Sequence, residues 1–201
     1  MFVQVFTGKV TDHDAVRAIL ESWPSGPGRD AKGWLGSTAG ITDDDQLVVL
    51  ARFTSEDAAR TNSVRPEQGA WWESLAGNLV GEASFFESSH VDDDVFGDPG
   101  AAGFVQVMRG RASDIARARE LARDGSGALT RYRPDVLASL LVSHDDGEYV
   151  MAIYFTSEAE ARNGETAEPP EELAPQIREL IALDLVAVTY FNLRTPWLAA
   201  P

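Results

Sequence analysis

The stretch Phe2-Val3-Gln4-Val5 returns 102 residues later as Phe104-Val105-Gln106-Val107, and the stretch Phe53-Thr54-Ser55-Glu56 returns at the same offset as Phe155-Thr156-Ser157-Glu158. Single residues between the two blocks keep this register, as Arg17 and Arg119 show. The number of residues between the first block and the second is therefore the same in both copies. This common register indicates that the chain is a tandem duplication, with one copy in each half.

Each copy predicts the same order of secondary-structure elements. Residues 2–9 alternate between two faces, with β-branched and aromatic side chains, as a strand does. Thr11 and Ser113 are expected to cap the first helix of each copy, and Ser55 and Ser157 the second, because a side-chain oxygen at a helix start accepts from the exposed backbone amides. Strands are predicted over 2–9, 34–40, 46–53 and 80–88, and over 103–110, 135–143, 148–155 and 185–193.

This order, β-α-β-β-α-β, is the ferredoxin-like arrangement. We therefore predict an α+β fold of two tandem ferredoxin-like domains, over residues 1–90 and 103–201, with 91–102 as a linker. In each domain the helices cover one face of a four-stranded antiparallel sheet, and the other apolar face needs a cover of its own. The two sheets are predicted to pack face to face as a barrel, with a central space for a ligand.

The motif Phe-Thr-Ser-Glu-x-x-Ala-Arg closes the third strand and opens the second helix at residues 53–60 and 155–162. With the tandem element order, it resembles the dimeric α+β barrel superfamily, in its antibiotic-biosynthesis-monooxygenase-like branch. The resemblance implies either a monomer whose two copies pair within the chain or a homodimer. It also implies one of several activities, since the group includes cofactor-independent quinol and polyketide oxygenases, haem-degrading enzymes, isomerases and stress proteins.

The haem-degrading members of that superfamily carry an Asn on the first strand and a Trp and a His on the second helix. This chain has Gln4 and Gln106 on its first strands, and neither 55–79 nor 157–183 contains a histidine. The resemblance therefore transfers no catalytic residue and disfavours haem. We expect no cofactor and no metal site, because the acidic runs 43–45 and 92–94 lack the spacing of a calcium loop.

The composition of the chain excludes two classes of binding partner, nucleic acid and membranes. The net charge is −15, there is no cysteine, and no basic cluster is present that could neutralise phosphates of nucleic acid or anionic lipid. No apolar run is long enough to span a membrane. We expect a cytoplasmic protein, from a bacterial gene because arginine and alanine are abundant, with a small apolar or aromatic molecule as its partner.

The two first-strand amides, Gln4 and Gln106, are the most informative polar residues. Both are expected to point into the space between the two sheets, where a buried amide needs a partner. Each would therefore either orient a ligand or form a structural hydrogen bond with a neighbouring strand side chain.

Four further residues are candidates for ligand binding, each with a structural alternative. Arg52 ends a strand and could hold an anion or form a salt bridge. Trp72 could line a pocket or pack in the core, and Tyr154 and Tyr190 could donate phenolic protons or pack with solvated hydroxyls.

Two functions stay open from the sequence. The first is a cofactor-independent monooxygenase-like enzyme without metal or flavin, acting on a small aromatic or quinol-type molecule held between the sheets. The second is a non-catalytic ligand-binding or stress-related barrel protein.

Overall fold

Two antiparallel five-stranded sheets organise the chain in the computed structural model. The chain divides into a first unit, residues 1–89 with 195–201, and a second unit, residues 90–194. Residues 1–125, 127–129 and 131–201 are described in full, and residues 126 and 130 as helix backbone only. The predicted α+β class and ferredoxin-like element order are confirmed in both units.

The first unit has its sheet in the order β10-β2-β3-β1-β4. Its helices pack on one face, where Phe6 and Val49 of the sheet join Val16, Leu20 and Leu75 of the helices in one core cluster. The elements are β1 (Phe2–Val10), α1 (His13–Ser22), β2 (Trp34–Ile41), β3 (Gln46–Phe53), α2 (Glu56–Ser63), α3 (Pro66–Ala76), β4 (Leu79–Ser88) and β10 (Trp197–Ala199).

The second unit repeats the arrangement in the order β5-β7-β8-β6-β9. Its smaller helix-side cluster contains Phe104, Val136, Phe155 and Ala161. The elements are β5 (His90–Val95), β6 (Phe104–Arg111), α4 (Ile115–Tyr132), β7 (Val136–Ser143), β8 (Glu148–Phe155), α5 (Glu158–Thr166), α6 (Ala174–Leu183) and β9 (Thr189–Leu193).

Each sheet has one strand more than predicted. The fifth strands, β5 and β10, form the edges beside β7 and β2. Residues 90–95 belong to the stretch that the sequence suggests is mostly linker, because three consecutive aspartates conceal the alternation of a strand. Strand β10 has only three residues, too few to show a period.

Two of the four predicted helix caps are displaced by one residue. Ser55 and Ser157 accept from Ala58 N and Glu160 N as expected. At the other two helices the carboxylates of Asp12 and Asp114 cap instead. The hydroxyls of the preceding Thr11 and Ser113 donate to the carbonyls of Asn78 and Leu183, so they tie the helix start to the segment before the last strand.

The face of β1 that carries Gln4 and Phe6 is the one that the helices cover. Register places Gln4 beside Ala51 and Val3 beside Arg52, so Val3 and Arg52 share the opposite face. Val3, Val48 and Leu50 on that opposite face are almost fully buried. None of the helices in the described part of the chain is long and apolar enough to cross a membrane.

Candidate functional site

The first unit contains a pocket of about 670 Å³ between its sheet and its helices. The prediction that Gln4 points into a space between two sheets is therefore wrong, since its face is the helix-covered one. Alternation in β1 separates two faces but does not indicate which of them the helices cover. The wall is built by Gln4, Phe6, Leu20, Glu21, Trp23, Pro24, Ser37, Ala39, Val49, Ala51, Phe53, Asn62, Ser63, Gln68, Gly69, Trp71, Trp72, Phe85, Trp197, Leu198, Ala199 and Ala200.

Aromatic rings form most of the apolar wall. Trp72 meets Phe6 edge to face at 5.2 Å between ring centroids and lies 5.3 Å from Phe85. Trp23 meets Trp71 at 5.0 Å, also edge to face. Such contacts fix the rings against one another. The wall therefore offers preformed flat surfaces to a planar apolar molecule.

Strand β10 supplies one side of the pocket. Trp197 lies opposite Ala39 in the β10–β2 register, and the Arg17 guanidinium sits 5.9 Å from the Trp197 ring centroid. An arginine over an indole face is an attractive contact. This side of the pocket is formed by residues 195–201, which follow the second unit in sequence but belong to the first unit in the structure.

Two amides bring unused hydrogen-bond donors to the pocket. Gln4 Nε2 donates to Glu87 Oε2 at 2.9 Å, and its second N–H has no partner among the described residues. Asn62 is 4% exposed, and its Oδ1 accepts from Arg65 Nη1 at 2.8 Å, which leaves its NH₂ group without a partner among the described residues. Both amides belong to the pocket wall, so these N–H groups can donate to an oxygen atom of a ligand there.

Three polar atoms of other lining residues are buried without a hydrogen-bond partner in the part of the chain that the structure describes. They are the indole nitrogens of Trp23 and Trp197 and the Gln68 amide oxygen. A single unpaired polar atom is common enough, but several around one pocket indicate a surface made to meet polar groups as well as rings.

The wall has little charge. Among the lining residues, all of them described, Glu21 is the sole ionisable one, and it is exposed and paired with Arg17 at 2.8 Å. Arg60 lies behind Gln4 and is held by Glu87 and by Glu56, at 3.3 Å from the latter. Its hydrogen bond to Glu87 is the largest cause that raises the pKa of Arg60. The pocket therefore suits a neutral ligand and brings no strong base or free cation to it.

The second unit uses its equivalent glutamine differently. Gln106 Nε2 donates to Glu165 Oε1 and to Asn192 Oδ1, both at 3.2 Å. Arg162 completes the network, reaching Asn192 at 3.0 Å and Glu165 at 2.9 Å. The Nε2 group of Gln106 thus donates two structural hydrogen bonds.

The predicted site residues do not form one group. Gln4 and Trp72 line the pocket of the first unit. Arg52 and Tyr154 face away from the helices of their units, because they pair with Val3 and Val105. Tyr190 pairs with Met108 as Phe85 pairs with Phe6, so it occupies the place of a pocket residue in the second unit.

The sequence gives weak signals for the remaining wall. Asn62 lies in a helix whose other polar residues are exposed, so its burial is not visible in the pattern. Trp197 belongs to a strand too short to predict. Trp23 is the last member of the apolar stripe of α1, where packing alone explains it.

No protein-family model matches the chain, and no curated protein sequence does. Solved structures are similar along its whole length. A candidate monooxygenase from Lactobacillus acidophilus has a TM-score of 0.71 and 11% identity, with 99% of this chain and 95% of that one covered. One from Fusobacterium nucleatum has a TM-score of 0.73 and 10% identity, with 99% and 94% covered. An anthrone oxidase-like protein has a TM-score of 0.67 and 10% identity, with 98% and 92% covered.

At sequence identities this low, the structural similarity establishes the fold of the chain and leaves its reaction open. The resemblance drawn from the sequence is confirmed at that level: the chain has the tandem ferredoxin-like α+β fold of monooxygenase-like proteins.

Proposed function

We propose that the first unit binds a small, neutral aromatic or quinol-type molecule in the pocket between its sheet and its helices, and that it oxygenates this molecule without metal or flavin. The observation that carries the proposal is the wall itself. Indole and phenyl rings in edge-to-face and tilted contact surround two amides, Gln4 and Asn62, whose remaining N–H groups have no partner among the described residues. A volume of about 670 Å³ is in the range of pockets that enclose small organic ligands.

The proposed oxygenation draws on the chemistry of the ligand. An electron-rich ring carrying a phenolic hydroxyl and a CH₂ group reacts with O₂, the CH₂ carbon becomes a carbonyl, and the second oxygen atom leaves as water. The substrate supplies all the electrons that reduce O₂. The chain would contribute orientation by Gln4 and Asn62 and exclusion of water by the aromatic wall. The names of the proteins with this fold, candidate monooxygenases and an anthrone oxidase-like protein, support this choice of reaction.

Binding without turnover is the second candidate. It is favoured by the sparse charge of the wall, because Glu21, its one ionisable residue, is exposed and paired. A ligand whose hydroxyl does not ionise unaided would then be held and left unchanged.

Tryptophan fluorescence gives a direct binding test, because all five tryptophans lie in the first unit. We expect polycyclic phenols and quinols to quench it saturably, and Gln4→Leu to weaken the effect. The matched control is Gln106→Leu, which removes the equivalent amide from the second unit and should leave quenching intact.

Oxygen uptake separates the two candidates. An electrode trace that shows consumption of O₂ with a bound quinol or anthrone-type phenol, faster than the uncatalysed reaction and slowed by Gln4→Leu, supports the oxygenase. Saturable binding with no oxygen consumption across a phenol panel would make ligand binding the function. Absence of saturable quenching by every compound in the panel would contradict both.

A further inference from the structure

The two copies hold their first-strand glutamines in equivalent surroundings. Cross-strand pairing places Glu87 beside Gln4 and Asn192 beside Gln106. Arg60 and Arg162 match at the common offset. Arg60 binds Glu87 on β4, and Arg162 binds Asn192 on β9. In both units the glutamine Nε2 therefore donates one hydrogen bond to the strand beside it, β4 or β9, and an arginine binds the same acceptor residue.

The two copies differ in the second N–H of that amide. Gln106 gives it to Glu165, at the end of α5, at 3.2 Å. The residue at the common offset in the first unit is Ser63, whose hydroxyl donates to the Arg60 carbonyl at 2.9 Å. Gln4 consequently has one N–H that nothing in the described chain accepts, and it lines the pocket together with Ser63.

We infer that Glu165 occupies, in the second unit, the place that an oxygen atom of the ligand takes in the first. In the second unit the Glu165 carboxylate then takes up the glutamine N–H that would otherwise bind a ligand. The chain therefore binds one ligand, through Gln4. This inference rests on the proposed function, because it assigns a contact within the same pocket.

The charges around each glutamine define the chemical class of that oxygen. The Glu165 carboxylate is balanced by Arg162, which contacts both of its oxygens, at 2.9 and 3.0 Å. Arg60 has no equivalent capacity, because Glu87 and Glu56 already hold it. An anionic oxygen at Gln4 would lie near the Glu87 carboxylate without a cation of its own. The ligand therefore presents a neutral acceptor, a carbonyl or a hydroxyl, to Gln4, and the Asn62 amide is a second donor in the same pocket.

The test transfers the closing residue to the first unit. Ser63→Glu places the carboxylate of the second unit beside Gln4, and Thr61→Glu, at an exposed residue of the same helix outside the pocket wall, adds the same charge elsewhere. The probes are 1,4-naphthoquinone, which offers carbonyl acceptors, and naphthalene, which offers none. The chain has no cysteine that a quinone could alkylate. Titration calorimetry gives the stoichiometry and tryptophan quenching gives the affinity.

The expected results are one quinone per wild-type chain, a loss of at least tenfold in quinone affinity for Ser63→Glu, and less than a twofold change for Thr61→Glu. In addition, Gln4→Leu should weaken the quinone and leave naphthalene unchanged, which keeps the test valid if Ser63→Glu folds poorly. Circular dichroism establishes folding.

Three outcomes would overturn the inference while the proposed function stands. They are unchanged quinone affinity in Ser63→Glu, equal losses in Ser63→Glu and Thr61→Glu, or an equal loss of both probes in Gln4→Leu. Failure of the wild-type chain to bind either probe would instead contradict the proposed function, and the inference with it.

Discussion

The two units have the same order of secondary-structure elements but differ in their tryptophans and tyrosines. All five tryptophans lie in the first unit, and all four tyrosines lie in the second. At the common offset, Trp23, Trp71 and Trp72 correspond to Gly125, Leu173 and Ala174. The strand order and pairing are the same in both units, whereas the side chains between sheet and helices differ. In a duplicated chain, such a layer is where the copies can diverge without loss of the fold.

The edge strands show the same divergence at a single position. Arg17 and Arg119 match at the offset, and both reach the edge strand next to their helix. Arg17 lies over the Trp197 ring, whereas Arg119 Nε binds Asp92 Oδ2 at 2.5 Å. Register aligns these two partners, since Trp197 pairs with Ala39 and Asp92 with Leu141. The first unit therefore has an aromatic wall where the second has an ion pair.

The largest expected effect on stability comes from removing Trp23, the ring at the centre of the aromatic layer. Trp23 is 8% exposed and packs between Trp34 and Trp71. We expect Trp23→Ala to lower the free energy of unfolding of the first unit by about 3–5 kcal/mol, because it leaves a large cavity. Urea denaturation followed by the fluorescence of the other tryptophans measures it.

The matched change in the second unit is Gly125→Ala. A Cβ there would lie 3.4 Å from Gln176 Oε1, an ordinary contact. Because alanine favours a helix over glycine, we expect a gain of about 0.5–1 kcal/mol. Similar losses at both positions would show that the units do not differ in how their helices pack.

The second test fills the pocket with side chains that the second unit already carries. Ala39 and Ala51 line the pocket, and their counterparts at the offset are Leu141 and Ile153. We expect Ala39→Leu/Ala51→Ile to reduce ligand affinity at least tenfold, about 1.4 kcal/mol, because the added carbons take up ligand space. Tryptophan quenching measures it, and undiminished affinity would place the ligand elsewhere.

The fold could be predicted because repetition removes ambiguity from weak local signals. The strand 46–53 and the cap Ser55 recur at 148–155 and Ser157, so each copy supports the assignment in the other. What repetition does not show is which sheet face the helices cover, since Val3 and Gln4 alternate in either case. For that reason Gln4 was expected on the sheet face that points away from the helices, whereas it lies on the face that they cover.

The missed residues depend on contacts remote in sequence. Asn62 becomes a pocket donor only because Arg65 engages its oxygen and orients the amide. Trp197 reaches the wall only because β10 pairs with β2, across more than 150 residues of sequence. No local period carries such information.

The third prediction compares the two arginines at the edge strands. Arg119 and Asp92 are partly buried, with side chains 26% and 18% exposed, and form two hydrogen bonds. We expect Arg119→Ala to cost about 1–2 kcal/mol, since hydrogen bonds between charged groups exceed neutral ones. Arg17→Ala removes a cation–π contact and the exposed ion pair with Glu21, and should cost about 0.5–1 kcal/mol.

Salt separates the two arginine effects further. The cost of Arg119→Ala should shrink in high salt by more than that of Arg17→Ala. The ion pair supplies most of the Arg119 cost and is weakened by screening, whereas the exposed Arg17–Glu21 pair contributes little at any salt concentration. Thermal unfolding at low and high salt is the measurement. A larger cost for Arg17→Ala would reverse our ranking of the two contacts.

The smallest expected effect concerns charge on β5, the edge strand that has aspartates where β10 has Trp197 and its neighbours. Partial burial, and then the nearby Asp92 and Asp93, raise the pKa of Asp94 above its ordinary value of 3.8. The folded chain therefore binds this proton more tightly than the unfolded chain, and ionisation of Asp94 lowers stability as the pH rises through its folded pKa. Asp94→Asn should then raise the unfolding temperature at neutral pH, and this advantage should fade as the pH falls towards 3.8. Asp93→Asn, at the exposed neighbour, is the control with a smaller expected gain, and a stabilisation of Asp94→Asn that persists in acid would mean that the charge is not its cause.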